Sequence, residues 1–286
     1  MSIWNDLSWV EGIRTPFFNF FFYNVSLTGY PIFLFLFIAF GYFFWSPQRF
    51  SRVAMLLFIS AVINSFLKDL LQDPRPPADF MLDGGTGTSY GWPSGHAQIA
   101  VTLWGLLAYE LKNKFISIGA ITFILLVAFS RMYLGVHDLG DVVAGLLIGS
   151  FILLLWHYAV VYKLYEKFDK LSWFLILIAF QFFVHLLYPS HEGHEISNWL
   201  LGAMTGWFLG ASNLVLASNN FIKLLLSITS TVAVFFLMIF LFQLEELIEL
   251  SGLMSILYSY SLGLFFSIFV SWVIPRFWKL FKLATE

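Results

Sequence analysis

The stretch FISIGAITFILLVAFSRMYLGVHDLGDVVAGLLIGSFILLLWHYAVVY, residues 115–162, decides the fold. Two apolar runs, 115–134 and 138–162, are each long enough to cross a bilayer core as a helix, which takes about 20 residues. The facing ends of the two runs and the turn between them carry Arg131, His137, Asp138 and Asp141. Seven further stretches of the same kind fall at 29–46, 53–71, 94–111, 171–188, 196–216, 221–243 and 253–274. The expected fold is therefore all-α, a polytopic membrane helix bundle with about nine transmembrane helices. Residues 1–28, aromatic and interrupted by Pro16 and Asn19, read as an interfacial segment, with a tenth, broken span as the other option.

Composition agrees with a bilayer as solvent. Apolar residues make up 59% of the 286 and charged residues 11%. Soluble domains carry roughly 25% charge, so this chain has too little to cover a water-facing surface. There is no cysteine, which removes disulfides and thiolate metal sites. A net charge of -2 and the absence of a basic stripe argue against nucleic acid as a partner. Asp6 and Glu11 stand where a signal peptide would carry basic residues, so no cleaved leader is expected.

Orientation follows from Lys and Arg. Arg49, Arg52, Lys112, Lys114, Lys163, Lys167, Lys170, Lys223, Arg276, Lys279 and Lys282 fall on one side, 11 of the 15 basic residues. The other side holds Arg14, Lys68, Arg75 and Arg131, together with 13 of the 17 acidic residues. The basic side is cytoplasmic by this rule, with the N-terminus outside and the C-terminus inside. Three of the four outer cations sit at span ends, where charge is expensive and usually functional.

Those cations belong to a constellation. The second span ends on Lys68 and leads to Arg75-Pro76, the prolines stopping the helix. The third opens on Pro93-Ser94-Gly95-His96, a helix start with unpaired amides suited to an anion. The fourth ends Ser130-Arg131, and the fifth opens with His137 and Asp141, four apart on one helical face. Taken singly, each has a plain structural reading: snorkelling cations, a Ser94 cap with an interfacial histidine, a structural His–Asp pair. Together they supply three cations, a helix N-terminus, two imidazoles and an orienting carboxylate. Phosphoryl transfer needs such a set: charge on three equatorial oxygens, an in-line nucleophile and a proton donor. Gly145 and Gly149 continue the His137 stripe and allow a neighbouring helix to approach.

The spacings resemble the type 2 phosphatidic acid phosphatase superfamily, whose pattern is KxxxxxxRP, PSGH and SRxxxxxHxxxD. All three motifs are matched without departure, within residues 53–162. The resemblance implies that His137 is the nucleophile and forms a phosphohistidine, and that His96 protonates the leaving group and then activates water. It further implies that Lys68, Arg75, Ser94, Gly95 and Arg131 bind the phosphate, that Asp141 orients His137, and that no metal or other cofactor takes part. Residues 1–286 then form a single integral membrane domain: the 1–28 segment, a phosphatase core of six spans over 29–188, and three additional spans over 189–286. The substrate expected is a phospholipid, sphingoid-base or polyprenyl phosphate or pyrophosphate drawn from the bilayer. Phe- and Ile-rich usage and short loops suggest a bacterial inner membrane with a periplasmic site, the alternative being endoplasmic reticulum with a lumenal one.

Rival readings remain open. The nine-span layout is also similar to that of glucose-6-phosphatase, which would imply a soluble sugar phosphate. A lipid-to-lipid phosphotransferase shares the chemistry, and an inactive lipid-binding relative would be expected to have lost motif residues. His191-Glu192-Gly193-His194 lacks the spacing of a metal-binding helix and reads as a solvated loop. His185 reads as interfacial, and Glu245, Glu246 and Glu249 as polar residues at the outer end of the eighth span. Gly202, Gly206 and Gly210 form a small-residue stripe for packing within the chain, or for a dimer face.

Overall fold

Prolines set where the first long helices begin. Pro16, Pro31 and Pro47 each open a helix, where a missing amide leaves no bond unmade. They start α2 (Pro16–Leu27), α3 (Pro31–Phe44) and α4 (Pro47–Leu71), after a short α1 (Ser8–Ile13). α4 stops where Gln72 turns left-handed, φ 50°, ahead of Pro74. The computed structural model describes residues 6–85, 89–187, 194–211, 215–216, 220–248, 250, 252–280 and 284–285. Gly87, His191, Glu192, Gly193 and Glu249 lie outside the described residues, as do the side chains of His194, Glu245 and Glu246.

After the 72–93 loop, α5 (Gly95–Ala100) runs through a π-helical stretch, Val101–Gly105, into α6 (Leu106–Leu111). α7 (Lys114–Tyr133) is capped by the Asn113 side chain, which accepts from the amides of Phe115 and Ile116. α8 (Leu139–Val161) starts in a reciprocal capping box between Asp138 and Asp141. There follow α9 (Lys170–Leu187), α10 (His194–Gly210) and α11 (Asn220–Leu247). α12 (Leu253–Ile268) continues through a second π-helical stretch, Phe269–Val273, into α13 (Ile274–Leu280). A two-residue antiparallel pairing joins Val215–Leu216 to Ala284–Thr285.

Among the described residues six helices are long and apolar enough to cross a membrane: α4, α7, α8, α9, α11 and the α12–α13 run. A seventh is the bent pair α2–α3, which breaks by 56° between Leu27 and Pro31. The expectation was nine. The difference lies in three of the apolar stretches. The 94–111 run is helical throughout but carries the π stretch, the 196–216 run leaves the helix at Gly210, and the 29–46 run is a 14-residue helix following the break. Large apolar side chains face outward along the spans, among them Leu147, Phe151 and Leu154 on α8, and Phe182 on α9. With backbone bonds satisfied inside each helix, such a surface suits hydrocarbon. This is an integral membrane protein.

The chain divides into two compact units, residues 1–30 with 63–190, and residues 31–62 with 191–286. In the first, α2 lies on α7, and α5 packs against both α7 and α8. Gly145 and Gly149 let α5 close onto α8. A Cβ on Gly145 would strike the Ser94 carbonyl, and one on Gly149 would sit 2.7 Å from the Gln98 carbonyl. In the second unit, α10 packs on α12 and α11 on α3, around an aromatic cluster of Phe35, Trp199 and Phe266. The Gly202, Gly206 and Gly210 stripe is spent inside this unit, against backbone or side-chain atoms of Tyr260, Leu264 and Ser271.

Candidate active site

All eight sequence-predicted residues lie in the first unit, where the C-terminal ends of α4 and α7 meet the N-terminal ends of α5 and α8. The start of α8 builds the innermost part. Asp141 accepts from the Asp138 amide at 3.3 Å, donates its own amide to Asp138 Oδ1 at 2.9 Å, and faces His137 Nδ1 from Oδ2 at 2.9 Å. His137 and Asp141 are 2% and 1% exposed. A carboxylate oxygen accepts, so Nδ1 carries the proton and Nε2 presents its lone pair. Burial, followed by the charges of Lys68, Arg131 and Arg75, holds the His137 imidazole well below its ordinary range, which keeps it neutral.

Arg75 meets that lone pair. Its Nη1 lies 3.3 Å from His137 Nε2 and donates to the Val136 carbonyl at 2.8 Å. Its Nε and Nη2 donate to the Ser89 carbonyl and hydroxyl, at 2.6 and 2.8 Å. Burial and then the neighbouring Arg131 charge lower the guanidinium to about 10, so it stays charged at neutral pH. Lys68 Nζ donates to the carbonyls of Tyr90 and, at 2.9 Å, Gly91, holding the segment that leads into Pro93.

The start of α5 is pinned from two sides. The Ser94 amide donates to the Asp141 carbonyl at 2.9 Å, and Asn64 Nδ2 donates to the Pro93 carbonyl at 3.2 Å and Gln98 Oε1 at 2.9 Å. Ser94 stands at the N-cap, yet its hydroxyl makes no capping bond and is buried without a partner. His96 Nε2 is likewise buried and unpartnered. The His96 ring rests on Gly29, lies edge-on to Tyr30 at 4.7 Å, and hydrogen-bonds the Ser26 backbone. Arg131, 1% exposed, donates from Nη1 to the Ser26 hydroxyl and to Asp83 Oδ2 at 2.8 Å.

Five of the eight residues fall into two sets. Arg75, His137 and Asp141 are joined directly, while Arg131 and His96 meet through Ser26 and Tyr30. Sequence reasoning had placed Ser26 and Tyr30 in or beside an interfacial segment and counted Asp83 only as an outer acidic residue. A carboxylate beside Gly84-Gly85 in the 72–93 loop was the available signal for Asp83. For Ser26 and Tyr30 there was none, since Arg131 lies 105 positions from Ser26. Among the described residues no three His, Asp or Glu side chains converge as a metal site.

Span ends that gather three cations, two imidazoles and a carboxylate in a helical membrane protein are the arrangement a membrane phosphatase would need. The profile of the PAP2 superfamily matches residues 49–165. The chain is 31% identical over 161 residues to lipid A 4'-phosphatase of Bacteroides thetaiotaomicron, covering 51% of this chain and 71% of that protein. It is also 31% identical over 229 residues to lipid phosphate phosphatase delta of Arabidopsis thaliana, covering 68% of this chain but only 52% of the relative. The crystal structure of the transmembrane PAP2 type phosphatidylglycerolphosphate phosphatase from Bacillus subtilis aligns with a TM-score of 0.47 at 26% identity, over 57% of this chain and 84% of that one. The chain belongs to the PAP2 superfamily.

Proposed function

We propose that this protein hydrolyses a phosphate or pyrophosphate ester carried by a membrane lipid, at the extracytoplasmic face, through a phosphohistidine and without a metal ion. The observation that carries the reading is the posture of His137. Its Nδ1 is held by Asp141, and its Nε2 lone pair faces the Arg75 guanidinium, which is where a phosphoryl oxygen would be drawn.

In the first step His137 Nε2 forms a bond to phosphorus as the ester P–O bond breaks. His96 supplies the proton to the departing alkoxide or phosphate. In the second step water attacks phosphorus, His96 takes its proton, and the P–N bond breaks to release inorganic phosphate and neutral imidazole. Lys68, Arg75, Arg131, the Ser94 hydroxyl and the Gly95 amide hold the phosphoryl oxygens. Such preorganised donors act most strongly on the charge that develops in flight.

Two features support a lipid substrate. The relatives above are named for lipid phosphates, and the spans expose Phe and Leu along which an acyl chain can lie, gaining roughly 0.8 kcal/mol per buried methylene. The placement of basic residues supports the extracytoplasmic face. The test is phosphate release by the purified protein from phosphatidic acid, phosphatidylglycerol phosphate, sphingosine phosphate, undecaprenyl pyrophosphate and glucose 6-phosphate, at matched micelle concentrations. Long-chain substrates should show much the lower KM, because tail contacts change little in the transition state. If glucose 6-phosphate matches or exceeds every lipid in kcat/KM, the substrate is not a lipid. Trapping with labelled substrate should give a phosphoenzyme that His137→Ala abolishes.

A further inference from the structure

Asp83 and Tyr30 belong to none of the three motifs, yet both bear on two of the residues that handle phosphate. Asp83 is 3% exposed, and each of its oxygens is engaged. Oδ2 faces Arg131 Nη1 at 2.8 Å and accepts from the Tyr30 hydroxyl at 2.6 Å, while Oδ1 accepts from the Gly85 amide at 3.0 Å. Burial alone would push this carboxyl up. The Tyr30 hydroxyl, the Gly85 amide and the Arg131 charge outweigh it and hold Asp83 below the ordinary carboxylate range, so it is ionised.

Tyr30 works in two directions. Its hydroxyl is spent on Asp83, its ring meets the His96 ring at 82°, and the Arg131 guanidinium stands 5.8 Å from the ring centroid. Ser26 closes the circuit, with its hydroxyl on Arg131 and its backbone on His96.

Arg131 then has one committed end. Nη1 serves Asp83 and Ser26, whereas Nε is buried without a partner. A guanidinium is planar and rigid, so clamping one end aims the other. A buried ion pair gives little net stability compared with apolar packing, because both charges lose their hydration. Its presence beside an unpaired donor therefore fits a device that aims the donor better than one that holds the fold together.

We propose that Asp83 and Tyr30 are positioning residues that hold Arg131 and His96 in one network, fixing the phosphate clamp and the leaving-group acid relative to each other. This rests on the function proposed above. It places part of the active site in the N-terminal segment and the 72–93 loop, where none of the motif signatures reaches except the Arg75-Pro76 pair and the Pro93 end.

The experiment uses the full chain in detergent, as wild type, Asp83→Asn, Tyr30→Phe, Arg131→Ala and Asp83→Asn with Arg131→Ala. Four quantities are read: kcat and KM for phosphatidic acid, the same for p-nitrophenyl phosphate, the vanadate inhibition constant, and labelled phosphoenzyme per mole of monodisperse protein. Asp83→Asn should lower kcat about 10- to 100-fold and weaken vanadate by a similar factor, somewhat less than outright removal of a transition-state donor. KM and the fraction of protein able to label should stay within about threefold. On the Arg131→Ala background Asp83→Asn should add less than about threefold, since a residue acting through Arg131 has nothing left to aim. Tyr30→Phe keeps the ring but not the hydroxyl, and should slow phosphatidic acid more than the p-nitrophenyl ester, whose leaving group needs less help from His96.

Asp83→Asn within twofold of wild type in kcat and vanadate binding overturns the proposal. So does a loss that multiplies fully with Arg131→Ala, or a reduced labelling fraction with unchanged vanadate affinity, which would make Asp83 a scaffold residue. If Asp83→Asn does not give monodisperse protein, Tyr30→Phe decides by the same readouts. If the wild type shows no vanadate-sensitive turnover, or His137→Ala retains it, the function proposed above has failed and this inference falls with it. A working wild type with silent Asp83 and Tyr30 variants defeats this inference alone.

Discussion

Replacing Asp141 by asparagine should separate what its charge does from what its shape does. Asp141 Oδ2 takes two donors, His137 Nδ1 at 2.9 Å and the Asp138 amide at 3.3 Å, while Oδ1 is buried without a partner. An asparagine has one oxygen to place. Putting it at the Oδ2 position keeps both bonds and leaves the NH₂ where Oδ1 was, an unpaired buried donor worth about 1–3 kcal/mol of stability. The flipped amide would aim NH₂ at two donors and lose both bonds, so the unflipped form wins. His137 then keeps its proton on Nδ1, unlike the hydrolytic triads in which the same exchange selects the wrong tautomer and lowers kcat by about 10⁴. What is lost is the charge. A hydrogen bond to a charged group contributes roughly 1.5–3 kcal/mol against 0.5–1.5 for a neutral one. The difference of about 1–2 kcal/mol corresponds to roughly 5- to 30-fold in kcat. Asp141→Ala also removes orientation and the capping box, and should fall by a further one or two orders of magnitude. The assay is single-turnover phosphoenzyme formation from a labelled lipid phosphate, with thermal unfolding in the same detergent. If Asp141→Asn is as inactive as His137→Ala, the amide has flipped and the argument from the Asp138 amide is wrong. If it equals wild type, the carboxylate's charge plays no part.

Four further outcomes are expected. Activity should survive a chelator if, as proposed, Lys68, Arg75 and Arg131 neutralise the phosphoryl charge; loss with EDTA and recovery with Mg²⁺ would overturn the mechanism. The pH profile of kcat/KM should be bell-shaped, with its acid limb below pH 6.5, since the buried His137 binds a proton less readily than a free imidazole. The sign for stability is the same: a depressed pKa means that acidification from pH 6.5 downward favours the unfolded chain, so the melting temperature should drop there, and less in His137→Ala. Reporter fusions after residues 80 and 190 should report outside and those after 113 and 166 inside; a cytoplasmic signal at 80 would reverse the face of the chemistry.

The parts of this protein legible in its sequence are those whose physics is local. Spans such as α7 and α8 announce themselves because a helix needs an unbroken apolar run of about 20 residues to cross a bilayer, and such a run hides its backbone within itself only as a helix. His137 and Asp141 could be paired on paper because positions four apart share a helix face, and the structure places them 2.9 Å apart. Lys68, Arg75, Ser94, His96 and Arg131 stood out because charge and polarity at span ends are conspicuous against an apolar background. Tertiary structure decided what depends on distant contacts. The π-helical stretch at Val101–Gly105 interrupts a run that reads as a uniform span, because hydropathy counts apolar residues and is blind to helix geometry. Asp83, 48 positions from Arg131, and Ser26, 105 positions away, carry no periodic or motif signal that would join them. Only the packing of α2 on α7, and the contacts of residues 75–83 with the end of α7, bring a hydroxyl and a carboxylate to one guanidinium. A one-dimensional pattern cannot encode which of Arg131's nitrogens is already taken.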